Sequence, residues 1–329
     1  MFSLDLIVMV VLLALLFDFV NGFHDTANAV ASAVATKALP PGGAVIMAAL
    51  LNFLGAVSGT AVAATIGQSI ISPYLIDPPA LIAALGGAIM WNLLTWYLGL
   101  PSSSSHSLIG GMTGGVLISC GPASINWPEL SVIIGVLIIS PFIAFLMGGG
   151  VMKFLLASLK NTAPTATNNN LRRLQILSSA MASFAHGSND AQKSMGVITM
   201  ALVSCGALSD FNVLLWVKIA CAAAMAAGTA LGGWRIIKTL GQQMFNIRPA
   251  SGFAADLTAA LTIYTASAAG FPVSTTQVVS SSLIGAGAAK RMRGVRWPTA
   301  INMIIAWIIT IPAAGMIAVI IYLAIQIGL

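Results

Sequence analysis

Long apolar stretches separated by short polar segments dominate the chain. Three of the longest cover residues 42–71, 130–152 and 301–327, and each exceeds the roughly 18 residues needed to cross the hydrocarbon core of a bilayer. Their apolar character is continuous rather than alternating, which favours helices over the strands of a closed barrel. The pattern therefore predicts an all-α integral membrane protein.

Composition agrees with this prediction. Of the 329 residues, 58% are hydrophobic and 7% are charged, whereas about a quarter of the residues of a soluble domain are charged. The formal net charge of +6 comes from residues in short segments between apolar stretches, so membrane topology explains it better than nucleic-acid binding does. The three cysteines lack a Cys-x-x-Cys spacing and are expected to pack between helices. We expect no cofactor.

An internal repeat divides the chain into two halves. Residues 19–25 (FVNGFHD) match residues 184–190 (FAHGSND), and residues 101–106 (PSSSSH) match residues 272–277 (PVSTTQ). The two matches keep their order and nearly their separation, which indicates duplication.

Each half contains six apolar segments. They cover roughly 4–21, 25–37, 42–71, 79–99, 102–120 and 129–156 in the first half, and 171–186, 190–208, 212–239, 252–270, 273–289 and 299–327 in the second. We predict a first repeat over 1–158, a cytoplasmic linker over 159–173 and a second repeat over 174–329.

The charges between the apolar segments orient the two halves. Most basic residues fall in the linker region and in second-half loops: Lys153, Lys160, Arg172, Arg173, Arg235, Lys238, Arg248, Lys290, Arg291, Arg293 and Arg296. The equivalent first-half segments, around 72–78 and 121–128, contain no Lys or Arg. By the positive-inside rule, equivalent loops lie on opposite sides of the membrane, so the repeats have inverted topology. The linker and the basic loops are predicted to be cytoplasmic and both termini to lie outside.

The number of crossings then constrains the Gly-x-x-Asp motifs. Two short apolar segments flank each motif, and they must together cross the membrane once for the basic loops to share one side. We therefore predict helix breaks near the membrane midplane at 22–25 and 187–190. Inverted repeats with broken helices are typical of secondary transporters, whose substrate binds at the breaks.

Asp25 and Asp190 are the first candidate site residues. A carboxylate at membrane depth costs roughly 2.5–3.5 kcal/mol, so it normally faces a cavity and a partner. A purely structural helix cap is the alternative, but two symmetric copies favour a cation site. Lys193 lies three residues after Asp190, on the same helical face, where it could pair with Asp190 or meet an anion. The sequence leaves both roles open.

The segments after Pro101 and Pro272 form a second candidate site. Proline favours the first turn of a helix, and the hydroxyl residues that follow lie beside unpaired backbone N–H groups at the positive end of the helix dipole. This combination binds oxyanions. A simple helix start is the alternative, and the two symmetric copies count against it. The candidate hydroxyl residues are Ser103, Ser104, Ser105, Ser274, Thr275 and Thr276.

These motifs resemble the signatures of the inorganic phosphate transporter (PiT) family, most of all bacterial low-affinity phosphate permeases. The resemblance rests on GFHDTANA from Gly22, HGSNDAQK from His186, LPSSSSH from Leu100 and PVSTT from Pro272, and it covers essentially the whole chain. It implies a multi-pass protein of the plasma (inner) membrane, often a homodimer, that takes up phosphate along a cation gradient. It also implies that the paired aspartates fall on Asp25 and Asp190, and that the phosphate-contacting loops fall on 103–105 and 274–276.

Two positions depart from the family pattern. The resemblance implies a glutamate in sodium-coupled members where this chain has Asn52, and its second-half counterpart falls on Asp256, which keeps the charge. Proton-coupled bacterial members are similar to this chain at Asn52, so the proton is favoured over sodium. The histidine usual after Ser-Thr-Thr is Gln277 here, which the sequence does not explain.

We therefore expect a secondary active transporter, not an enzyme, that imports inorganic phosphate across the lipid bilayer. Phosphate would dock at the two hydroxyl segments with Asn28, Asn189 and Lys193 nearby, and Asp25, Asp190, Asn28 and Asp256 would serve the coupling cation. That cation would be a proton or sodium, with Asp25 and Asp190 as ligands if it is sodium, and a divalent metal–phosphate complex is a further candidate substrate. The alternatives are a permease for sulfate or another tetrahedral oxyanion, a channel, and an intramembrane hydrolase, which would not need its residues in symmetric pairs.

Overall fold

The computed structural model describes residues 4–161, 163–231 and 247–328, with the side chains of 26–28 and 164–167 outside the description. The described part is helical, and two short 3₁₀ turns, Pro122–Ser124 and Met292–Gly294, precede the sixth and last helices. The helices are α1 (Leu4–Ala35), α2 (Pro41–Val57), α3 (Ala61–Gln68), α4 (Pro78–Tyr97), α5 (Ser104–Ser119), α6 (Trp127–Ser158), α7 (Pro164–Ser204), α8 (Leu215–Leu231), α9 (Pro249–Ala268), α10 (Thr275–Lys290) and α11 (Trp297–Gly328). The prediction of an all-α membrane protein is confirmed.

Five helices of the first half have counterparts in the described part of the second half. α1, α2, α4, α5 and α6 correspond to α7, α8, α9, α10 and α11 in the same order. The halves are also interlocked, because α1 packs on α8 while α2 packs on α7, and α5 packs on α11 while α10 packs on α6. Neither half therefore forms a separate core.

The repeats are inverted because α1 and α7 run in opposite directions where they meet. Ser194 Oγ donates to Asp18 Oδ1 (2.7 Å), Asn21 Nδ2 to Asp190 Oδ2 (3.2 Å), and Thr36 Oγ1 to Gln175 Oε1 (2.7 Å). Residues nearer the end of α1 thus contact residues nearer the start of α7. Equivalent helices of the two halves therefore cross the membrane in opposite senses.

The helix breaks lie elsewhere than predicted. α1 runs through Gly22–Asp25 and α7 runs through Gly187–Asp190 without interruption, so the prediction of a break at these motifs is wrong. The reason is close packing: a Cβ on Gly22 would meet the α8 backbone 2.9 Å from Thr229 N, and one on Gly187 would meet the α2 backbone at Asn52. These glycines bring helices together and leave the hydrogen-bond ladder intact.

Breaks occur at three other places. α2 and α3 form a pair bent by 67°, and non-helical segments separate α4 from α5 and α9 from α10, each with a glycine at positive φ, Gly99 (68°) and Gly270 (79°). With that bent pair, up to five of the described helices or helix pairs are long and apolar enough to cross a membrane. α7 already begins at Pro164, inside the segment predicted as the linker.

The helix ends form two opposite faces of the molecule, and most basic residues of the described ranges lie on one of them. On one face, Asn126 N donates to the Ile70 carbonyl (3.0 Å) and the Tyr74 hydroxyl to the Ser209 carbonyl (2.9 Å), which joins the ends of α3 and α7 to the start of α6. On the other, one apolar cluster joins the ends of α1, α6 and α10 to the starts of α2, α9 and α11. Apart from Lys193 and Lys218, the basic residues of the described ranges belong to this second face: Lys37, Lys153, Lys160, Arg172, Arg173, Arg248, Lys290, Arg291, Arg293 and Arg296.

Close packing through glycine gives a test of the fold. A Cβ on Gly55 would overlap the α7 backbone at Phe184 and approach Ser188 N at 2.9 Å, so Gly55→Ala must push two helices apart. Overpacking of this kind costs about 1–3 kcal/mol. We expect Gly55→Ala to lower the melting temperature of the purified protein in detergent.

Gly150→Ala is the matched control, since a Cβ there meets nothing within 4 Å. It should leave the melting temperature unchanged or raise it slightly, because alanine is favoured over glycine in a helix by roughly 1 kcal/mol. Equal melting temperatures for the two variants would contradict the packing described.

Candidate functional site

Asp25 and Asp190 meet in the middle of the molecule. α1 and α7 cross at these residues, and both carboxylates are buried, with exposures of 1% and 0%. One oxygen of each carboxylate and one ring nitrogen of His186 all lie within 4.8 Å of one another. The duplicated motif therefore builds one site from both halves rather than two separate sites.

The hydroxyl segments donate directly to these carboxylates. Ser104 Oγ donates to Asp25 Oδ2 (2.8 Å), and Thr276 Oγ1, from the other half, donates to Asp25 Oδ1 (2.7 Å). Thr275 Oγ1 donates to Asp190 Oδ2 (3.1 Å). Ser104, Thr275 and Thr276, which were predicted to hold phosphate, thus form one hydrogen-bonded cluster with Asp25 and Asp190, which were predicted to hold a cation.

Lys193 connects the two sets. Its ammonium lies 2.6 Å from Asp190 Oδ1 and 2.5 Å from Ser105 Oγ. Ser105 in turn donates to the Val273 carbonyl at 2.8 Å. With the Asn189 amide nitrogen turned toward Asp190, it donates to Asp190 Oδ1 (3.2 Å) and to the same Val273 carbonyl (3.1 Å). Both roles considered for Lys193 are compatible with this position.

Ser103 and Ser274 act differently from their neighbours. Each is the N-cap of its helix, with Ser103 Oγ accepting from His106 N (3.2 Å) and Ser274 Oγ from Gln277 N (3.3 Å). These caps fix the starts of α5 and α10 beside the carboxylates, where the first backbone N–H groups and the helix dipole favour an anion.

Gln277 has a partner across the repeat interface. Its Nε2 lies 3.3 Å from Nε2 of His106, the residue at the equivalent position of the first half, and His106 Nδ1 lies 2.8 Å from Ser103 Oγ. An imidazole with its proton on Nδ1 can donate to Ser103 and accept from the Gln277 amide. Glutamine at 277 therefore complements histidine at 106.

Asp256 lies apart from the central cluster. It accepts from Ser32 Oγ at 2.7 and 2.6 Å, beside Gln175, which donates to Ser32 Oγ at 3.2 Å. This group sits between α1, α7 and α9 on the basic-face side of Asp25. Asn52 is adjacent to the centre instead, linked to His186 Nδ1 (3.0 Å) and Thr229 Oγ1 (2.9 Å). The side chain of Asn28 lies outside the described residues.

Four described residues of the cluster were not among the predicted site residues. Two are histidines: His24 Nδ1 lies 2.9 Å from Asp25 Oδ1, and His186 Nε2 lies 3.4 Å from Asp190 Oδ2. The other two are Asn21 and Asp18.

Asn21 donates to Asp190, and its Oδ1 is buried without a hydrogen-bond partner; the same holds for Oδ2 of Asp18. Both belong to a polar stripe on α1, since Asp18, Asn21 and Asp25 recur every three to four residues and face α7. The helical spacing was readable from the sequence, but Asp18 has no counterpart in the second half, where Ser183 occupies the equivalent position.

The cluster fits a small hard cation as well as an anion. Carboxylate and amide oxygens suit sodium and similar ions, and the unpartnered Asn21 Oδ1 beside Asp190 supplies a further acceptor. Asp25, Asp190 and Lys193 together carry one formal negative charge, which a proton or a monovalent cation would balance. Asp18 is a third buried carboxylate of the cluster and accepts from Ser194 Oγ. The donors Ser104, Thr275 and Thr276 and the helix starts suit an oxyanion.

Comparisons with known proteins agree with this chemistry. The sequence model described as "Phosphate transporter family" matches residues 21–167 and 157–318, once for each half. A curated protein of Bacillus subtilis, described as "Probable low-affinity inorganic phosphate transporter", is 47% identical over 97% of this chain and 97% of its own length. One of Rhizobium meliloti with the same description is 43% identical over 98% of this chain and 97% of its own length.

A solved structure described as "The sodium-dependent phosphate transporter" has the same fold. Its TM-score is 0.87, with 23% sequence identity, and the alignment covers 99% of this chain and 100% of the other. The two family matches correspond to the inverted halves that meet at Asp25 and Asp190. This chain therefore belongs to the phosphate transporter family.

Proposed function

We propose that the chain imports inorganic phosphate together with a cation, and that the proton is favoured over sodium. The observation that carries this proposal is the shared set of donors, since Ser104, Thr276 and Thr275 donate to the two aspartates. A phosphate bound at the starts of α5 and α10 would need these same donors. Carboxylates and phosphate are thus competitors for one set of hydrogen bonds.

A cation resolves this competition. When a proton or sodium ion binds Asp25 or Asp190, that carboxylate becomes a poorer acceptor, and the hydroxyl groups can turn toward phosphate. The cation also cancels the repulsion between two anions in a medium of low dielectric constant. Each ligand therefore strengthens the binding of the other, and this mutual stabilisation is the coupling.

Buried carboxylates also favour phosphate over sulfate. Phosphate carries at least one hydroxyl near neutral pH and can donate a hydrogen bond to a carboxylate, whereas sulfate only accepts. A carboxylate that faces sulfate would be left without a donor, at a cost of roughly 1–3 kcal/mol for an unsatisfied buried group and more for a charged one. Both aspartates in the cluster thus count against the sulfate alternative.

The environment of Asn52 is the argument for the proton. Its amide joins His186 Nδ1 to Thr229 Oγ1, so an uncharged residue stands where a further carboxylate would add a ligand for sodium. Lys193 already pairs with Asp190 at 2.6 Å, so one added positive charge would neutralise the two aspartates together with this lysine. A single proton satisfies that balance without a full coordination shell.

Transport in this proposal alternates access to the cluster from the two faces. The central residues are buried, among them Lys193 (0%), Ser104 (2%) and Thr276 (1%), so helices must move for phosphate to enter or leave. Because the halves are inverted and interlocked, rocking one set of helices against the other would open either face in turn.

Uptake by purified protein in liposomes tests the proposal. With an inward proton gradient, labelled phosphate should accumulate above equilibrium, and a protonophore should abolish the accumulation. An imposed sodium gradient at constant pH should have little effect, and excess sulfate should compete weakly. Accumulation driven by sodium alone would overturn the proton assignment, and accumulation without either gradient would overturn symport.

Two variants locate the coupling in the cluster. Asp25→Asn keeps the size and a hydrogen-bond acceptor but cannot take up a proton, so gradient-driven uptake should fall about tenfold or more, equivalent to at least roughly 1.4 kcal/mol. Asp77→Asn is the matched control, because Asp77 caps α4 through Ala80 N and asparagine caps a helix equally well. Full uptake by folded Asp25→Asn protein would contradict the mechanism.

We also propose that the basic face is cytoplasmic and that both termini lie outside, by the positive-inside rule. In a background with Cys120 and Cys205 replaced by serine, a membrane-impermeant thiol reagent applied to intact cells or spheroplasts should label Ser209→Cys and spare Lys160→Cys. Permeabilising the membrane should make Lys160→Cys accessible to the reagent. The reverse pattern would show the opposite orientation.

A further inference from the structure

A groove opens between α6 and α9 on the side of the molecule that faces lipid. Its volume is about 390 Å³. The walls are mainly apolar, and several of them are exposed, including Ile139 (56%), Ile143 (45%) and Leu261 (42%). Ser140, Met147, Thr262, Thr265, Ala266 and Val273 also line the groove.

The internal repeat shows what fills the equivalent position in the other half. α6 and α11 both begin with Trp-Pro, at Trp127 and Trp297, so Ser140 corresponds to Thr310. α4 and α9 begin at Pro78 and Pro249, so Thr262 corresponds to Trp91. Trp91 Nε1 donates to Thr310 Oγ1 at 3.0 Å. The groove therefore lies where the first half carries an indole ring and the second half carries only a threonine.

The hydroxyl groups of the groove do not call for a polar ligand. Thr265 Oγ1 donates to the Leu261 carbonyl of its own helix (2.7 Å), and Ser140 Oγ lies 3.4 Å from the Leu137 carbonyl. These two hydroxyls are directed to their own helix backbones, and Thr262 Oγ1 lies 4.0 Å from Met147 Sδ on the opposite wall. The occupant therefore meets mainly methyl, methylene and thioether groups. An aliphatic ligand is the chemical class that such walls accommodate.

The floor of the groove is the back of the phosphate-facing segment. Val273 lines the groove, and its carbonyl accepts a hydrogen bond from Ser105 Oγ at 2.8 Å. Ser105 Oγ in turn accepts one from Lys193. In the first half the corresponding segment is held from behind, because Trp307 Nε1 donates to the Pro101 carbonyl at 3.0 Å. Leu137 occupies the position equivalent to Trp307 and cannot make that bond.

We propose that an acyl chain of a membrane phospholipid occupies this groove and supports the 271–273 segment from the lipid side. One wall of the groove is α6, which is long and apolar enough to cross a membrane, and exposed apolar side chains of α6 and α9 flank its opening. Hydrocarbon rather than water is therefore the medium expected to enter it. The acyl chain takes the place that the Trp91 side chain fills in the first half. It thereby holds the second binding segment against α7, as the bond from Trp307 to the Pro101 carbonyl holds the first.

Photolabelling tests this assignment independently of transport. The full chain would be reconstituted in vesicles of phosphatidylethanolamine and phosphatidylglycerol that contain a phospholipid with a diazirine at mid-chain, and labelled peptides identified by mass spectrometry. Labelling within 136–147 and 261–273 should exceed that at the exposed α11 residues Ile308 (70%) and Ile320 (63%) by roughly fivefold, the ratio that about 1 kcal/mol of preference produces.

Filling the groove provides the decisive variant. Thr262→Trp should reduce groove labelling to the level of the α11 residues, because the indole replaces the lipid acyl chain. Phosphate uptake should be retained. Ala266→Met fills the same space with a flexible side chain and serves if Thr262→Trp does not fold. Ile308→Trp, an added indole on the opposite lipid face, should leave groove labelling unchanged.

Two results would overturn the assignment. In one, groove labelling in the wild type is no stronger than at Ile308 and Ile320. In the other, groove labelling is weak and Thr262→Trp changes the oligomeric state in nanodiscs, which would identify a second copy of the chain as the occupant.

Discussion

Two carboxylates buried in one place within the membrane constrain the rest of this structure. Asp25 and Asp190 come from helices that cross in opposite directions, and Lys193 supplies a positive charge beside them. Hydroxyl groups at the starts of α5 and α10 donate to both carboxylates, and the Asn21 amide donates to Asp190. In the proposed mechanism those helix starts also serve an oxyanion, and the charge of the carboxylates decides which partner the donors face.

Inverted duplication explains how such a cluster arises from one sequence. The two motifs need not be close along the chain, because α1 and α7 pack against each other. Glycines in addition pack α1 tightly on α8 and α7 tightly on α2. Gly22, Gly55, Gly187 and Gly228 each lie against the backbone of a helix from the other half. The interface between the repeats thus contains both the main core and the candidate binding site, so motion of one repeat relative to the other would alter that site.

Much of this could be predicted from the sequence, and the exceptions have physical reasons. Hydropathy and the paired motifs predicted the membrane class, the repeats and the aspartates, while loop charge predicted the inversion. The breaks were misplaced because glycine has two uses, conformational freedom and close approach, and a single sequence does not separate them at Gly22 and Gly187. Asp18 was missed because it lacks a counterpart, and the pairing of Gln277 with His106 depends on a contact between halves.

The central claim is that the two aspartates and phosphate compete for the same hydroxyl donors, and that the coupling cation strengthens phosphate binding by neutralising an aspartate. Equilibrium binding of phosphate to purified protein without any gradient tests it most directly, measured across pH and sodium concentration for the wild type and for Asp25→Asn with Asp190→Asn. The ratio of the two affinities removes the ionisation of phosphate itself. The account predicts that this ratio changes steeply with proton concentration and little with sodium; a ratio independent of both would contradict it.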